Sequence, residues 1–283
     1  MIAMDFHGHF RRSALELGIP EDEVGKFDQL LRFEIWSGGE PHGTPVGRRG
    51  GRPRLPEDVE RQLGGPWELP FVASYDCAAL PGIDDLALPS DGSLLFFLDH
   101  EEAVEADSEE DAQRYARVVY VPAESGLSVD GGYDLFATVQ PELPHWVDMD
   151  EEELSGYQRQ QVLDLPHRSE LVALVGRLWP KSGQGEIRLG GYSGHIGALS
   201  GKNVYATPEI EMAWKNIKDR KAGMTPDEAM FCVEEELQQV MREWTPLAQF
   251  RADYVHVGRF LIRREDLAAR RLDKVFSVTE FLE

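Results

Sequence analysis

The stretch of this chain that most constrains its fold is residues 69–99, LPFVASYDCAALPGIDDLALPSDGSLLFFLD. In an extended chain Phe71, Ala73 and Tyr75 would share one face, and Leu94–Leu98 is a continuous apolar run. Alternating or continuous apolar runs of this length, bounded by Pro, Gly and Asp, are typical of β-strands. The stretch therefore predicts two strands joined by an irregular loop that is rich in Pro and Gly.

The rest of the chain mixes strand and helix patterns. Further strands are predicted at residues 117–121, 134–139, 247–252, 260–262 and 274–281. Helices are predicted at residues 1–18, 20–36, 150–162, 208–221 and 226–244. The last of these opens with a capping box at Thr225–Glu228, whereas the pattern of residues 171–178 fits a helix and a strand equally. The sequence thus predicts an α+β fold with a twisted, largely antiparallel sheet and flanking helices.

One pair of segments also suggests an internal pseudo-repeat. Pro70–Asp76 followed by Gly92–Asp99 is similar to Pro246–Asp253 followed by Gly258–Asp266. Each pair consists of an apolar strand closing on an acid and then an apolar strand led by glycine. We therefore predict two related halves that pair about a pseudo-axis.

Several motifs occur in an order that resembles the YwqG-like family, a bacterial domain of unknown function. They are Arg52–Pro56, Leu69–Asp76, Leu88–Pro89, Gly92–Asp99, Arg117–Pro122, Pro246–Asp253 and Gly258–Val278. The resemblance covers about residues 45 to 283 and implies an α+β fold but no reaction. We accordingly divide the chain into a helical N-terminal extension, residues 1–40, and a YwqG-like α+β domain, residues 41–283.

The charge of the chain limits its partners. Lys and Arg total 29 against 51 Asp and Glu, a formal net charge of −22. Such a chain is repelled by nucleic acids and by anionic membranes. No apolar run approaches the ~18 residues of a membrane span, and the N-terminus lacks the basic and apolar regions of a signal peptide. We therefore expect a cytoplasmic protein in which Cys77 and Cys232 are buried, reduced thiols.

Two regions carry candidate ligand-binding residues. Arg48, Arg49, Arg52 and Arg54 form the densest basic cluster, in a predicted loop over residues 37–65. Arginines among glycines can bind phosphate or carboxylate, or they can pair with the protein's own acids. The cluster leaves both interpretations open.

The second region is the glycine-rich segment 186–203. The family typically has a histidine before a Gly-Gly-Tyr-Pro step, whereas this chain has Ile187 at the position of that histidine and Ser193 at that of the proline. Tyr192 and His195 are candidates for the wall of a ligand pocket. Alternatively, the glycines only permit a left-handed turn.

Other polar motifs have simpler explanations. Asp5, His7 and His9 form a D-x-H-x-H pattern, but no β/α repeat follows it, so we expect helix capping or local hydrogen bonds there. Asp76, Asp99 and Asp253 close predicted strands, where turn capping is commoner than acid–base work. The acid-rich residues 100–111 are expected to form a mobile, solvated loop, and Pro246 is expected to end the last predicted helix. We expect no metal and no cofactor.

Two hypotheses of function remain. The first is a soluble, non-enzymatic binding protein, an accessory or immunity-type partner of a basic protein. The alternative is an enzyme or small-ligand binder that uses the Arg48–Arg54 loop and the Gly-Gly-Tyr loop. The sequence does not decide whether the protein is an enzyme, nor does it identify the ligand, the partner or the oligomeric state.

Overall fold

A computed structural model describes residues 5–62, 69–180, 185–193, 207–220 and 223–281. The helices in these ranges are α1 Phe6–Glu16, α2 Glu21–Asp28, α3 Glu57–Gln62, α4 His100–Glu105, α5 Glu109–Ala112, α6 Gly156–Leu163, α7 Arg168–Leu178, α8 Pro208–Asn216, α9 Pro226–Glu243 and α10 Arg264–Ala268. The strands are β1 Arg32–Gly38, β2 Gly47–Arg49, β3 Arg52–Arg54, β4 Phe71–Asp76, β5 Ser93–Leu98, β6 Ala116–Val121, β7 Ser128–Asp130, β8 Tyr133–Glu142, β9 Ile187–Gly190, β10 Trp244–Arg251, β11 His256–Arg263 and β12 Phe276–Phe281.

Ten of these strands form one sheet in the order β12-β11-β10-β9-β1-β8-β2-β4-β5-β6, while β3 and β7 pair separately. Neighbouring strands run antiparallel. The sheet curves into a nearly closed barrel. The side chain of Gln113, just before β6, bonds both the N–H and the carbonyl of Ser277 in β12, at 2.7 and 3.0 Å. This confirms the predicted α+β class and the largely antiparallel sheet.

The main core lies between the two ends of the curved sheet and beneath the N-terminal helices. Phe96 of β5 and Phe260 of β11 bring their rings to 5.5 Å although their strands are far apart in the sheet order. Phe10 of α1 and Phe27 of α2 stack at 5.5 Å, and both are fully buried. Burying a large apolar side chain of this kind contributes up to about 1.5–3 kcal/mol.

The predicted helix over residues 20–36 is wrong in its second half. The helix ends at Asp28, and Arg32–Gly38 forms β1, which lies between β8 and β9. The apolar residues Leu31 and Ile35 stand four apart and mimic a helical face, but residues 32–35 also alternate between polar and apolar. Backbone hydrogen bonding to β8 on one side and to β9 on the other stabilises the strand over the helix. The division of the chain at residue 40 stays a prediction, although β1 lies on its N-terminal side.

Two predicted loops contain regular structure. Residues 100–111, expected to be a solvated loop, form α4 and α5, which Asp99 and Ser108 cap by accepting from backbone N–H groups three residues on. The segment 37–65 contributes β2, β3 and α3. In residues 100–111 the polar residues start helices, because a side-chain oxygen satisfies the exposed N–H groups of a helix end.

The predicted C-terminal helix is confirmed as α9, with the capping box at Thr225 and Glu228 in place. It ends at Glu243 and β10 follows at once. Pro246, predicted to end the helix, lies instead within β10, where the register shifts between Pro246 and Ala248. A bulge tolerates proline because the ladder is already interrupted there. Cys77 is buried as predicted, and Cys232 is partly buried.

Candidate functional site

A row of buried and partly buried polar side chains, here called the polar stripe, crosses five central strands on the face opposite the main core. Its members are Arg32, Glu34, Glu142, Arg188, Gln249 and Arg259. Strand pairing aligns them, because Arg32 lies opposite Glu142, and Gln249 lies opposite both Arg188 and Arg259. Successive residues of a strand point to opposite faces, so Phe33 and Ile35 enter the core while Arg32 and Glu34 enter the stripe.

Charges of opposite sign meet within the polar stripe. The guanidinium of Arg188 lies 3.7 Å from Glu34 and 3.5 Å from Glu142. Arg259 is 2% exposed and pairs with Glu280 at 2.5 Å. Burying a charge without a partner is very costly, so these pairs offset a large desolvation penalty. Because pairing of this kind rarely gains stability over an apolar face, the stripe is a candidate for function.

The turn after β9 joins the polar stripe to the Gly-Gly-Tyr loop. Gly190 and Gly191 adopt φ of +81° and +74°, and a Cβ on Gly191 would lie 2.3 Å from a carboxylate oxygen of Glu142. Both the backbone angle and the close approach therefore require glycine at position 191. The turn lets the backbone N–H of Tyr192 donate to Glu142 at 2.5 Å.

Tyr192 is held from several directions. Its hydroxyl donates to the carbonyl of Leu30 at 2.8 Å, and the side-chain amide of Gln249 donates to its carbonyl at 2.8 Å. The guanidinium of Arg32 lies 4.0 Å above its ring. Burial raises the pKa of Tyr192 to about 12. The phenol is therefore a neutral, fixed wall and not a base at neutral pH.

A cavity of about 790 Å³ opens beside this turn, between the end of β8 and helices α6, α8 and α9. Its aromatic walls are Trp146, Tyr157, Tyr192 and Trp214. Its acidic walls are Glu142, Glu153, Glu209, Glu211 and Glu234. Arg188 also reaches it but is already paired with two carboxylates. The volume and the mixture of apolar walls with a few polar groups are those of a small-molecule site.

Burial favours the neutral, protonated form of three of these acids. Burial raises the pKa values of Glu142, Glu209 and Glu234. Glu209 is 3% exposed and accepts a hydrogen bond from the Ser193 hydroxyl at 2.6 Å, and its charge further raises the pKa of Glu142. A positive charge placed among them would favour their ionised forms.

The predicted basic cluster lies elsewhere. Arg48 and Arg49 are on β2, and Arg52 and Arg54 on β3. Ion pairs join Arg48 to Asp134 at 3.6 Å, Arg49 to Glu186 at 3.2 Å and Arg54 to Asp130 at 2.5 Å. None of the four arginines is among the described residues that line the cavity. Of the six predicted ligand-binding residues, the structure places Tyr192 in the cavity wall, while His195 lies outside the described ranges.

The D-x-H-x-H motif does not converge on one point. Asp5 caps α1 by accepting from Gly8 N–H at 2.7 Å, His7 bonds Asp28 and Asp85, and His9 packs edge-on against Trp179. The capping by Asp5 agrees with the expectation, whereas the bonds of His7 are not local, because Asp28 and Asp85 lie 21 and 78 residues away in the sequence.

The three strand-closing acids also cap turns or helices. Asp76 accepts from Ala78 N–H, Asp99 from Glu102 N–H, and Asp253 from Val255 and His256 N–H.

Sequence reasoning missed most of the cavity's acids. The alternation of polar and apolar residues over 32–35 could have indicated a strand with a polar face. Glu142 and Glu209 carry no such signal, since a glutamate at a strand end or in the first turn of a helix is ordinary. Glu209 becomes buried only in the tertiary structure, where its carboxylate meets Ser193 beyond the Gly-Gly-Tyr turn.

Comparison with known proteins gives a family but no activity. Within the described residues, no helix combines the length and apolar content required to cross a membrane. No curated protein matches the chain. The family model of a domain of unknown function, DUF1963, matches residues 47–280. That range includes β2–β11, all of β12 except its last residue, the Gly-Gly-Tyr turn and every residue named as a wall of the cavity. The chain therefore belongs to the DUF1963 family, a domain family of unknown function.

Proposed function

We propose that this protein binds a small organic cation with an apolar body, such as an aromatic amine, in the cavity beside Tyr192. The observation that carries the proposal is the lining of the cavity, in which five carboxylic acids and four aromatic rings surround one already paired guanidinium. Aromatic faces attract cations more strongly once water is excluded. Acids with raised pKa values gain from a nearby positive charge.

In this proposal each wall of the cavity has a part. Trp146, Tyr157 and Trp214 provide flat apolar surfaces for the ligand's body. Glu142 and Glu209 lie at the end of the cavity near the polar stripe. There a protonated amine can be attracted by their negative charge and donate hydrogen bonds to their carboxylate oxygens. Arg188 disfavours a second cation close to the stripe, so a ligand with a single positive charge fits best.

A matched ligand series tests the proposal directly. Tryptamine, tryptophol and indole-3-propionate share one aromatic body and carry a positive, a neutral and a negative head. By isothermal titration calorimetry we expect tryptamine to bind at least about tenfold more tightly than tryptophol, a difference of ~1.4 kcal/mol. We expect no binding of the acid. Equal affinities for the three, or no binding of any, would refute the proposal.

A pair of variants locates the binding. Glu209→Gln keeps an acceptor for the Ser193 hydroxyl but removes the charge, and it should reduce the preference for tryptamine over tryptophol. Glu110→Gln is the control, since Glu110 is an exposed residue of α5 outside the cavity lining. A loss of preference that is equal in both variants would point to general surface charge and not to the cavity.

A second candidate function is binding of a basic protein, which a groove of about 510 Å³ favours. The groove lies between α4–α5, α8–α9 and β12. Its acids are Glu109, Glu211, Glu236, Glu243 and Glu280, and its bases Lys215 and Arg263 are paired with Glu109 and Glu243. Beside it α4 and α5 carry further exposed acids. Opposite charges accelerate association, and salt weakens the effect.

This candidate has its own test. The protein is used as bait in its native organism's extract, alongside a variant with Glu101, Glu102, Glu105, Asp107, Glu109 and Glu110 changed to Gln and Asn. The candidate function is supported if a basic partner binds the native bait but not the variant. That partner should also associate more slowly with the native bait at high salt. Partners retained equally by both baits would exclude this face.

We also infer that the sheet consists of two related halves, and that the YwqG-like resemblance describes this same arrangement. From the central β1–β8 pair, the order runs β9-β10-β11-β12 on one side and β2-β4-β5-β6 on the other. The register shifts once in β4, between Phe71 and Ala73, and once in β10, between Pro246 and Ala248. Superposing β4–β5–α4 on β10–β11–α10 tests the inference, and helices leaving in unrelated directions would contradict it.

A further inference from the structure

Two histidines and an aspartate that are far apart in the sequence meet at one end of the sheet. His100 is the first residue of α4, Asp253 lies in the turn between β10 and β11, and His256 is the first residue of β11. Oδ2 of Asp253 lies 3.1 Å from Nε2 of His100 and 2.8 Å from Nδ1 of His256. One ligating atom from each residue lies within 4.8 Å of the other two.

The backbone holds this cluster in place. Oδ1 of Asp253 accepts from the N–H groups of Val255 and His256, each at 2.7 Å, which leaves Oδ2 directed at both imidazoles. The His256 ring lies 5.5 Å from the ring of Phe281 in β12. The cluster is therefore fixed by the turn before any ligand arrives, as a metal site requires.

Close packing of two distant strands brings His100 to the turn. A Cβ on Gly258 of β11 would lie 2.6 Å from a methyl group of Leu98, at the end of β5. Glycine thus permits the end of β5 to approach the start of β11. His100 follows two residues after Leu98, and its ring comes within 5.0 Å of the His256 ring.

We propose that His100, Asp253 and His256 form a binding site for one divalent first-row transition metal ion. Two imidazole nitrogens and one carboxylate oxygen are donors that Zn²⁺, Fe²⁺, Co²⁺ and Ni²⁺ share. Metal–ligand distances of about 2.0–2.2 Å are compatible with donor atoms this close together. The ion takes the place of the hydrogen bonds that now join the imidazoles to Asp253.

The site leaves positions open on the metal. The three side chains keep 25%, 35% and 13% of their surface exposed, in the order His100, Asp253 and His256. Three protein ligands on one side and solvent on the other is the arrangement of an accessible metal centre and not of a closed structural one. The proposal is independent of the amine cavity, none of whose described lining residues belongs to this cluster.

Titration of the chelator-treated full chain with Co²⁺ tests the proposal. We expect one saturable equivalent with the visible absorption of Co²⁺ bound by nitrogen ligands. His100→Ala, His256→Ala and Asp253→Asn should each weaken Co²⁺ binding by at least about tenfold. Removing a group that only supports a metal ligand already costs about 10–100-fold in affinity, so losing a ligand itself should cost no less. Asparagine retains an acceptor for the two backbone N–H groups, so this variant should fold.

His42→Ala is the control, because His42 is an exposed histidine that bonds the Glu40 carbonyl. It should bind Co²⁺ like the native chain. The proposal is overturned if the native chain shows no saturable Co²⁺ band. It is also overturned if variants shown by circular dichroism to be folded bind as tightly as the control.

Discussion

At one corner of the sheet Arg264, the first residue of α10, donates to the carbonyl of Asp85 in the β4–β5 loop at 2.6 Å. At another corner His100, the first residue of α4, reaches Asp253 in the β10–β11 turn. Counting from the paired register shifts, Arg264 and His100 occupy corresponding positions. In both corners a helix-initiating residue contacts the loop between the other pair of strands.

The two corners differ in what covers them. Helix α1 reaches the Arg264 corner, where His7 lies 2.9 Å from Asp28 and 3.3 Å from Asp85. Arg11 donates twice to the same Asp28, which is 4% exposed. The His100 corner remains more open, since the side chains of His100 and Asp253 keep 25% and 35% of their surface exposed. One corner thus serves to hold the N-terminal helices, while the other keeps its imidazoles available to a ligand.

The largest expected effect concerns the packing that covers the Arg264 corner. Phe10→Ala removes a fully buried ring stacked on Phe27 and should reduce the free energy of unfolding by about 3–5 kcal/mol. Leu17→Ala, at a residue that is 52% exposed, should change it by less than about 0.5 kcal/mol. Urea denaturation gives both values. Equal effects would show that α1 is not part of the folded core.

Removing the shared carboxylate should have the next largest effect. Asp28→Asn weakens the bonds to His7 and Arg11, and hydrogen bonds to charged groups contribute about 1.5–3 kcal/mol. Glu16→Gln, at an exposed acid of α1, is the matched control. If the two variants unfold at the same urea concentration, the ion pairs do not hold α1 to the sheet.

The same corner should make stability depend on pH. Hydrogen bonds to Asp28 and then Asp85 raise the pKa of His7 from 6.5 to about 10. The protonated histidine therefore contributes its full stabilisation below pH 6.5, and this contribution is lost as the pH rises towards 10. The difference in unfolding free energy between the native chain and His7→Gln should shrink across this window. A constant difference would mean that His7 is not charged in the folded protein.

At the open corner the effects should be smaller. Asp253→Ala deletes the acceptor of two backbone N–H groups and should cost about 0.5–1.5 kcal/mol, whereas Asp253→Asn retains that acceptor. Thermal denaturation in the presence of a chelator separates the two variants. If they are equally destabilised, the charge and not the turn hydrogen bonds supports this loop.

The smallest expected effect comes from making the corners alike. His100→Arg introduces the residue type of position 264, and its partly exposed pair with Asp253 should change stability by only about 0.2–1 kcal/mol. The same variant should lose Co²⁺ binding, because a guanidinium does not ligate metals. Retained binding would remove His100 from the proposed ligand set.

The hairpins at the two corners could be predicted from sequence, but the central strand could not. Apolar runs and turn residues located β4, β5 and β11, since their signals are local. Strand β1 could not be predicted, because the spacing of Leu31 and Ile35 also fits a helix. Only pairing with β8 and β9 in the folded protein distinguishes the strand from the helix. The short helices α4 and α5 were hidden by an excess of acids, which suggested solvation.

The candidate sites were less accessible still. Tyr192 could be predicted as a candidate residue because the two glycines before it indicate an unusual turn. His100 and Asp253 are separated by 153 residues, and no spacing rule joins them. Glu209 differs from other glutamates only because it is buried in the folded protein, and the sequence does not show which glutamates become buried. Arginines drew attention as a cluster, yet three of the four pair with the protein's own acids.

The placement of β1 has a consequence for biosynthesis. Its neighbours β8 and β9 begin roughly 100 and 150 residues later in the chain, and ribosomes add about 5–20 residues per second. The strand therefore waits roughly 10–30 s for its second partner, with Phe33 and Ile35 unburied. During that interval the nascent chain presents an unpaired apolar edge, the usual substrate of chaperones that hold unfolded segments. We expect the yield of folded protein to depend on such chaperones more than its final stability suggests.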